Sequence, residues 1–176
     1  MQIRPARLED CSEIAAIYAH HVLHGTASYE TEPPDAAEIT RRMDRVLGSG
    51  WPWLVAADTA GRLLGYAYAS QFRDRAAYRF ACEDSIYIRD QARGLGVGTA
   101  LLGALIDACT ALGFRQMVAV IGGAEPASEA LHARLGFAIA GRFTAIGRKH
   151  GRWLDTLYMQ RALGPGSSEA PGFEQS

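Results

Sequence analysis

The sequence predicts an α/β domain built on a mixed, mostly antiparallel sheet of about seven strands flanked by helices. Strand-like runs at residues 53–57 and 63–70 flank the polar turn 58–61, which is typical of an antiparallel hairpin. A strand at 82–89, a glycine-rich loop, an apolar helix and a buried-looking strand at 116–121 follow, as in a parallel βαβ crossover. With the other elements, the predicted order is β-α-α-β-β-β-α-β-α-β-β.

The first part of the chain reads as one strand and two helices. Residues 2–5 form the strand. A helix follows over residues 11–23, with Asp10 as its candidate N-cap and with apolar side chains at helical spacing. The loop over residues 26–34 contains two consecutive prolines, which exclude a helix there. A second helix begins at residue 35 or 36 and ends near residue 47, before a Gly-Ser-Gly stop.

The second part of the chain continues with two helices and paired strands. The helix after the glycine-rich loop carries one apolar stripe and ends at Gly113. A short helix is predicted over residues 128–135. Two further strands, at 137–146 and 153–160, are joined by the polar turn 148–152. The sequence therefore closes its sheet with a second hairpin.

The length of 176 residues and the hydrophobic content of 48% are enough for one domain with a sizeable core. We predict a single domain over residues 1–163. The final stretch, residues 164–176, is rich in Pro, Ser and Gly and is predicted to be a disordered tail.

The charge balance excludes several classes of partner. The chain has 18 basic and 19 acidic residues, so its net charge of −1 favours neither nucleic acid nor a membrane surface. No apolar run is long enough to span a bilayer, and the N-terminus does not resemble a signal peptide. Cys11, Cys82 and Cys109 have no metal-ligand spacing and are typical of reduced thiols in a cytoplasmic protein, so no metal is expected.

The glycine-rich loop over residues 93–99 is the most specific motif. Backbone N–H groups at a helix start lack intrahelical partners, so an anion such as a pyrophosphate can bind there. A Walker A loop is excluded because Gly98 is followed by Thr99 without a lysine. A dinucleotide fingerprint is excluded because its third glycine would fall on Thr99 or Leu101.

The remaining pattern, in which Arg93, Gly96 and Gly98 fill Q/R-x-x-G-x-G/A, resembles the acetyl-CoA pyrophosphate loop of the GNAT superfamily of N-acetyltransferases. The element order matches that fold as well. Six segments in order over residues 2–163 resemble the phosphinothricin and methionine sulfoximine acetyltransferase branch. They are TEP at 31–33, WPWLVA at 51–56, RAAY at 75–78, EDSIYI at 83–88, VAVIG at 118–122 and KHGRWLD at 149–155.

This resemblance implies acetylation of the α-amino group of a small amino-acid analogue, namely phosphinothricin, L-methionine sulfoximine or L-methionine sulfone, by acetyl-CoA. The amine is protonated at neutral pH, so the reaction needs a base. Glu83 holds the position of the family's catalytic glutamate. It acts as base directly or through water, or it only anchors the ammonium or pairs with an arginine. We exclude Asp84, since strand alternation points it to the opposite face.

The resemblance also assigns the cofactor site. Ile86, Tyr87 and Ile88 are expected to offer backbone groups to the pantetheine arm where two strands splay. His132 stands where many relatives have a tyrosine that protonates the coenzyme thiolate, although a structural role is equally open. Glu125 replaces the usual asparagine, which leaves Ser128 and backbone groups to contact the cofactor. The pyrophosphate cradle comprises Arg93, Gly94, Leu95, Gly96, Val97, Gly98 and Thr99.

Candidate substrate residues lie on two irregular segments. Arg73, Arg75 and Tyr78 precede Glu83 and suit the acidic end of the substrate, while Tyr29 lies on a loop that this family closes over it. The family also implies a homodimer. Two alternatives stay open: a GNAT enzyme acting on another amine, and a non-catalytic acyl-CoA sensor that keeps only the glycine cradle.

Overall fold

The computed structural model describes residues 1–171, within which seven strands and four helices follow one another along the chain. Three short 3-10 turns connect them at Leu8–Asp10, Ala76–Tyr78 and Asp90–Ala92. The strands are β1 (Gln2–Pro5), β2 (Trp53–Ala57), β3 (Leu63–Gln71), β4 (Ala81–Ile88), β5 (Gln116–Gly122), β6 (Ala138–Lys149) and β7 (Arg152–Ala162). The helices are α1 (Cys11–His24), α2 (Ala36–Gly48), α3 (Val97–Ala111) and α4 (Pro126–Arg134).

The strands form one sheet in the order β1-β2-β3-β4-β5-β7-β6. All described neighbours pair antiparallel except β4 and β5, which are joined through α3 and pair in parallel. The predicted fold class and element order are confirmed. The predicted bounds of most elements differ from the observed ones by one or two residues, because turn residues and hydrophobic period mark both ends of an element.

Two apolar layers cover the two faces of this sheet. One layer packs α3 against the sheet, and the other packs α1 and α2 against the opposite face. Because side chains alternate along β4, neighbouring residues of this strand point into different layers. The largest fully buried side chains on the α3 side include Leu101, Leu102, Leu105, Met117 and Met159, and on the other side Ile14, Ile17, Ile39, Met43 and Trp53.

The two predicted helix starts fare differently. α2 begins where the sequence predicts, and the Asp35 carboxylate caps it by accepting the Glu38 amide at 2.7 Å. The proposed cap at Asp10 is wrong. Its carboxylate instead accepts two bonds from Arg4, at 2.7 and 2.8 Å, and the Arg7 amide at 2.8 Å. A salt bridge to the first strand has taken the place of the cap.

The end of the chain is described as far as residue 171. The Leu163 amide donates to the Arg115 carbonyl at 3.0 Å, and turns close between Leu163 and Gly166 and between Pro165 and Ser168. Residues 172–176 lie outside the described residues, and disorder over 164–176 stays a prediction. None of the described helices is long and apolar enough to cross a membrane.

Candidate active site

The central cavity lies where β4 and β5 part. The two strands pair only from Ala81 opposite Gln116 to Asp84 opposite Ala119. Beyond that point a cavity of about 430 Å³ opens between them. Its walls are residues 83–87 of β4, residues 119–122 around the end of β5, the loop residues 27–30, and Ser128 and His132 of α4. Unpaired strand edges here leave backbone N–H and C=O groups available to an inserted ligand.

The loop over this cavity is held from three sides. Tyr18 of α1 donates to Glu30 at 3.0 Å and lies 2.7 Å from the Ser28 hydroxyl. Arg42 of α2 donates to the same Glu30 carboxylate at 2.7 Å. From β6, the Lys149 ammonium donates to the Ser28 carbonyl at 2.7 Å. These charged and buried contacts fix the loop as one wall of the site.

Tyr29 closes the cavity from the β7 side. Its hydroxyl donates to the Asp155 carbonyl at 2.9 Å and lies 2.7 Å from the Thr156 hydroxyl. The Gly123 amide donates to it at 3.3 Å. Its ring lies directly over Gly147, where a β-carbon would come within 2.8 Å of the ring. The predicted substrate residue Tyr29 therefore lines the cavity, and contacts with β6, β7 and the residue after β5 set its position.

Glu83 lines the cavity on the face of β4 that α1 and α2 cover. Its side chain is 30% exposed, and the nearest cation is the Arg73 guanidinium at 3.8 Å. Burial raises the pKa of Glu83, the Arg73 charge lowers it in part, and the negative Asp84 adds to the rise. A carboxylate with a raised pKa is a stronger base than an exposed one.

The opposite face of β4 holds a pair that sequence reasoning missed. Asp84 and His132 each expose only 2% of their side chains, and Asp84 Oδ2 lies 3.1 Å from His132 Nε2. His132 Nδ1 donates to the Ser128 carbonyl at 2.7 Å. Strand alternation correctly places Asp84 away from Glu83, but both side chains reach the same cavity because it passes between the split strands. Asp84 therefore lies on the face opposite Glu83, as alternation predicts, and also lines the cavity.

A second cavity of about 620 Å³ adjoins the first at the N-terminus of α3. Gly96, the residue before this helix, has a φ of +79° and provides no capping side chain, so the helix start is bare. A β-carbon on Gly96 would meet no protein atom within 4 Å and would stand in open space. On Gly98 it would lie 3.2 Å from Leu131 of α4, so that glycine also serves helix packing.

Basic side chains surround this second cavity. Of the chain's five histidines, four line it. Only His21 is anchored to β4, with Nε2 2.9 Å from the Ile88 carbonyl, and its burial lowers its pKa. The cavity thus combines bare helix amides with cationic groups, an arrangement that suits a phosphorylated ligand. The basic residues around it are His20, His21, His24, His150, Arg93, Arg134 and Arg152.

The structure brings most of the predicted site residues to the two cavities. Four of them do not line either cavity as expected. Arg73 stands beside Glu83 outside the lining, and Arg75 and Tyr78 lie on the exposed turn before β4, with Tyr78 packed on Phe72. Leu95 is 71% exposed. The lining residues among those predicted are Tyr29, Glu83, Ile86, Tyr87, Ile88, Arg93, Gly94, Gly96, Val97, Gly98, Thr99, Glu125, Ser128 and His132.

Tyr87 and Glu125 line the first and the second cavity, respectively. Tyr87 borders the first cavity, but its ring packs at 4.8 Å from Tyr18 and 5.4 Å from Tyr66, so its backbone is the part free to bind. Glu125 immediately precedes α4 and makes no capping bond. Within residues 1–171, no group of three or more His, Cys, Asp or Glu side chains could hold a metal ion.

Comparison with known proteins is consistent with this geometry. A phosphinothricin N-acetyltransferase from Alcaligenes faecalis is 49% identical, over 96% of this chain and 86% of its own length. An L-methionine sulfoximine/L-methionine sulfone acetyltransferase from Pseudomonas paraeruginosa is 43% identical, over 93% of this chain and 95% of its own length. The sequence family described as acetyltransferase (GNAT) domain matches residues 3–158.

Solved structures agree on the fold. The crystal structure of a GNAT superfamily phosphinothricin acetyltransferase from Sinorhizobium meliloti, in complex with AcCoA, superposes with a TM-score of 0.96. That protein is 53% identical, and the match covers 98% of this chain and 94% of the other. Family match, identity and superposition agree, and this chain belongs to the GNAT acetyltransferase family.

Proposed function

We propose that this enzyme transfers the acetyl group of acetyl-CoA to the α-amino group of phosphinothricin, L-methionine sulfoximine or L-methionine sulfone. The observation that carries the proposal is the cavity between β4 and β5, which has a basic carboxylate on one wall and continues into a phosphate-binding cleft. The names of the two relatives, at 49% and 43% identity, supply the substrate class.

Acetyl-CoA fits the two cavities as a single ligand. Its diphosphate suits the bare amides of residues 94–99 at the start of α3, where the helix dipole favours an anion. The pantetheine arm then lies along residues 86–88 of β4, whose edge is unpaired beyond Asp84. That placement brings the thioester to the cavity that Glu83 lines.

Glu83 acts as the base in this proposal. The ammonium of the amino acid loses a proton to Glu83, directly or through water, and the neutral amine attacks the thioester carbon. The C–N bond forms as the C–S bond breaks. The nitrogen loses its second proton to the same carboxylate, which is free to exchange with solvent at the cavity mouth.

His132 lies on the other side of the split and supplies the proton that the departing thiolate needs. Burial alone lowers the pKa of His132, but the hydrogen bond and charge of Asp84 outweigh that effect and raise it. A raised pKa increases the imidazolium fraction at any given pH, which favours the role of an acid.

The acidic end of the substrate would meet cations and donors at the cavity mouth. Arg73 stands beside Glu83, and Tyr29 forms the opposite wall. An arginine near the mouth suits a phosphinate or carboxylate and disfavours a polyamine. Arg75 and Tyr78 lie farther along the same exposed segment and would contact the substrate only if that segment folds inward.

We further propose that the protein is cytoplasmic, where its buried thiols stay reduced. We also propose that it forms a homodimer through β6. β6 is the 12-residue edge strand of the sheet, and ten of its twelve residues are exposed, including the first nine. A long, apolar, unpaired edge is a surface that a second copy covers. Ile139, Phe143, Ile146 and Trp153 are each more than half exposed on this hairpin.

Sedimentation or light scattering tests the dimer. The wild type should have the mass of two chains, and Ile146→Asp, which alters only an exposed side chain, should shift it to one. A wild type of single-chain mass at micromolar concentration would contradict this assignment.

The substrate proposal is tested by free-thiol release from acetyl-CoA with each of the three analogues. Glutamate, methionine and a polyamine serve as comparison amines. We expect the highest kcat/KM for one of the three analogues. Stabilisation by acetyl-CoA without turnover on any amine would instead identify a sensor, and preference for another amine would replace the substrate class.

A further inference from the structure

Asp84 stands at the point where the sheet splits. It is the last residue of β4 that pairs with β5, opposite Ala119. Its carboxylate is buried, and its Oδ2 faces His132 Nε2 at 3.1 Å across 48 positions of sequence. The pair belongs to the same cavity as Glu83 but to the opposite face of the strand.

The hydrogen bonds of His132 define how many protons the pair holds. The Ser128 carbonyl can only accept, so Nδ1 carries a hydrogen. A carboxylate also only accepts, so a bond at Nε2 requires a second hydrogen on the imidazole, or a proton on Asp84 itself. In either arrangement the two side chains share one proton beyond those of a neutral imidazole and a free carboxylate.

Burial keeps that proton on the pair until a strong base such as a thiolate takes it. Without it, a bare carboxylate would face an imidazole lone pair at 2% exposure, and an uncompensated buried charge is strongly unfavourable. The second oxygen of Asp84, Oδ1, is buried and has no hydrogen-bond partner within residues 1–171. The shared proton is therefore the chief compensation for the charge on Asp84.

Other titratable groups near the pair are few. Along β4, Cys82 lies on the same face as Asp84, and the pKa of its thiol is raised by its contact with Cys109 of α3, by burial and by the Asp84 charge. Glu83 faces the other side of the strand, and Tyr87 packs among aromatic rings. The covering loop contributes Tyr29 and Glu30. Residues 119–122 at the β5 side have no titratable side chain, and on α4 the lining residue Ser128 is neutral. Asp84 is thus the one charged group in hydrogen-bond contact with His132 among the described residues.

We propose that Asp84 is a positioning residue, which orients His132 and stores with it the proton given to the coenzyme A sulfur. The inference rests on the acetyl transfer proposed above. When the C–S bond breaks, its electron pair stays on sulfur, and the proton on His132 Nε2 moves to that thiolate to give the thiol. Two protons leave the amine through Glu83, one proton is taken from the pair, and solvent returns one proton to the pair.

This arrangement separates the base from the acid by the thickness of one strand. Glu83 collects protons on the side of α1 and α2, while the Asp84–His132 pair donates on the side of α3 and α4. Because adjacent residues of one strand point to opposite faces, the two groups do not neutralise each other directly. The acetyl group is transferred between these two sides, in the gap where β4 and β5 part.

Asp84→Asn tests the inference, with Asp107→Asn, an exposed position of α3, as matched control. Asparagine keeps the shape but removes the charge that holds the proton. At pH 8 we expect kcat to fall about tenfold, with the alkaline limb of the kcat profile about one pH unit lower, since one pKa unit changes the protonated fraction tenfold. KM for acetyl-CoA should stay within about twofold, because the diphosphate contacts are untouched.

Nitrogen NMR of the histidine ring supplies a readout that does not depend on turnover. In the wild type at pH 7.5, His132 should show two protonated nitrogens, and in Asp84→Asn it should show a neutral ring. A neutral His132 ring in the wild type, together with an unprotonated Asp84, overturns the inference. So does a variant that keeps the wild-type alkaline limb.

The two proposals fail in different ways. If the wild type turns over no amine, the proposed function is wrong, yet the NMR spectrum still reports whether the pair holds its proton. If the wild type is active and Asp84→Asn has an unchanged profile, the function stands and the role of Asp84 is refuted. Unfolding curves of the variants distinguish loss of chemistry from loss of fold.

Discussion

Gly96→Ala tests the phosphate cradle, because its effect on stability and its effect on acetyl-CoA affinity can be measured separately. The residue has a φ of +79°, which a side chain adopts at a cost of roughly 1–2 kcal/mol. For a chain of this length each kcal/mol lowers Tm by about 2–4 °C, so we expect a loss of roughly 2–8 °C. The new methyl group meets no protein atom within 4 Å and enters only the cavity itself.

Binding should suffer separately from stability. A methyl group over the bare amides displaces an anion from at least one hydrogen bond, worth about 1.5–3 kcal/mol when the acceptor is charged. That loss corresponds to a Kd for acetyl-CoA raised roughly ten- to a hundredfold. Isothermal titration calorimetry measures the affinity and thermal unfolding measures the stability.

Gly113→Ala is the matched control for this experiment. Gly113 follows the other end of α3 with a φ of +87°, and a β-carbon there also meets nothing within 4 Å. It should lose a similar amount of Tm and keep the wild-type affinity. Equal affinities for acetyl-CoA in Gly96→Ala, Gly113→Ala and the wild type would refute the cradle.

Three further predictions concern the base, the substrate wall and acid stability. Glu83→Gln should lower kcat by about 10²–10⁴-fold and leave KM for acetyl-CoA unchanged. An unaltered kcat in steady-state kinetics would show that Glu83 is not the base. Gly147→Ala places a β-carbon within 2.8 Å of the Tyr29 ring, an overpacking of about 1–3 kcal/mol, so KM for the amino acid should rise several-fold. Gly141→Ala, whose β-carbon meets no atom within 4 Å, should leave that KM unchanged. Burial of Asp10 opposes ionisation, but its ion pair with Arg4 outweighs that effect and lowers the pKa of Asp10. The stabilisation from this ion pair is therefore present above the unfolded pKa of about 3.9 and is lost as pH falls through the folded value. In urea unfolding, Asp10→Asn should cost about 1–3 kcal/mol at pH 7 and much less at pH 2.

The elements of this fold could be predicted because their signals are local. Asp35 caps its helix with its own side chain, and β2 spans the five residues that its composition and turn residues indicate. The hydrophobic periodicity of an element and the glycine or proline that ends it lie close together in the sequence, so both can be read locally. The cap at Asp10 failed because Arg4, six residues away on β1, offers the carboxylate a stronger partner.

The site was less predictable because its partners are distant in sequence. Alternation correctly separates Glu83 from Asp84, but it does not show that α4 presents a histidine to the far face of the strand. The orientation of His132 depends on how α4 packs against β5. The available signal was an aspartate on the same face of β4 as the apolar Cys82 and Ile86, since such a side chain needs a buried partner.

The irregular segment before β4 carries no periodic signal. Arg75 precedes the 3-10 turn Ala76–Tyr78, which leaves this part of the chain exposed. Only Arg73 approaches Glu83, at 3.8 Å. Composition could identify arginines suited to an acidic substrate, but not which of them the turn directs towards the cavity.

A crystal structure of the enzyme with coenzyme A and the acetylated amino acid tests the central claim most directly. The account predicts the diphosphate on the amides of residues 94–99, the product nitrogen on the Glu83 side of β4, and the sulfur within reach of His132 on the other. A coenzyme bound outside the split, or nitrogen and sulfur both on the Glu83 side, would contradict it.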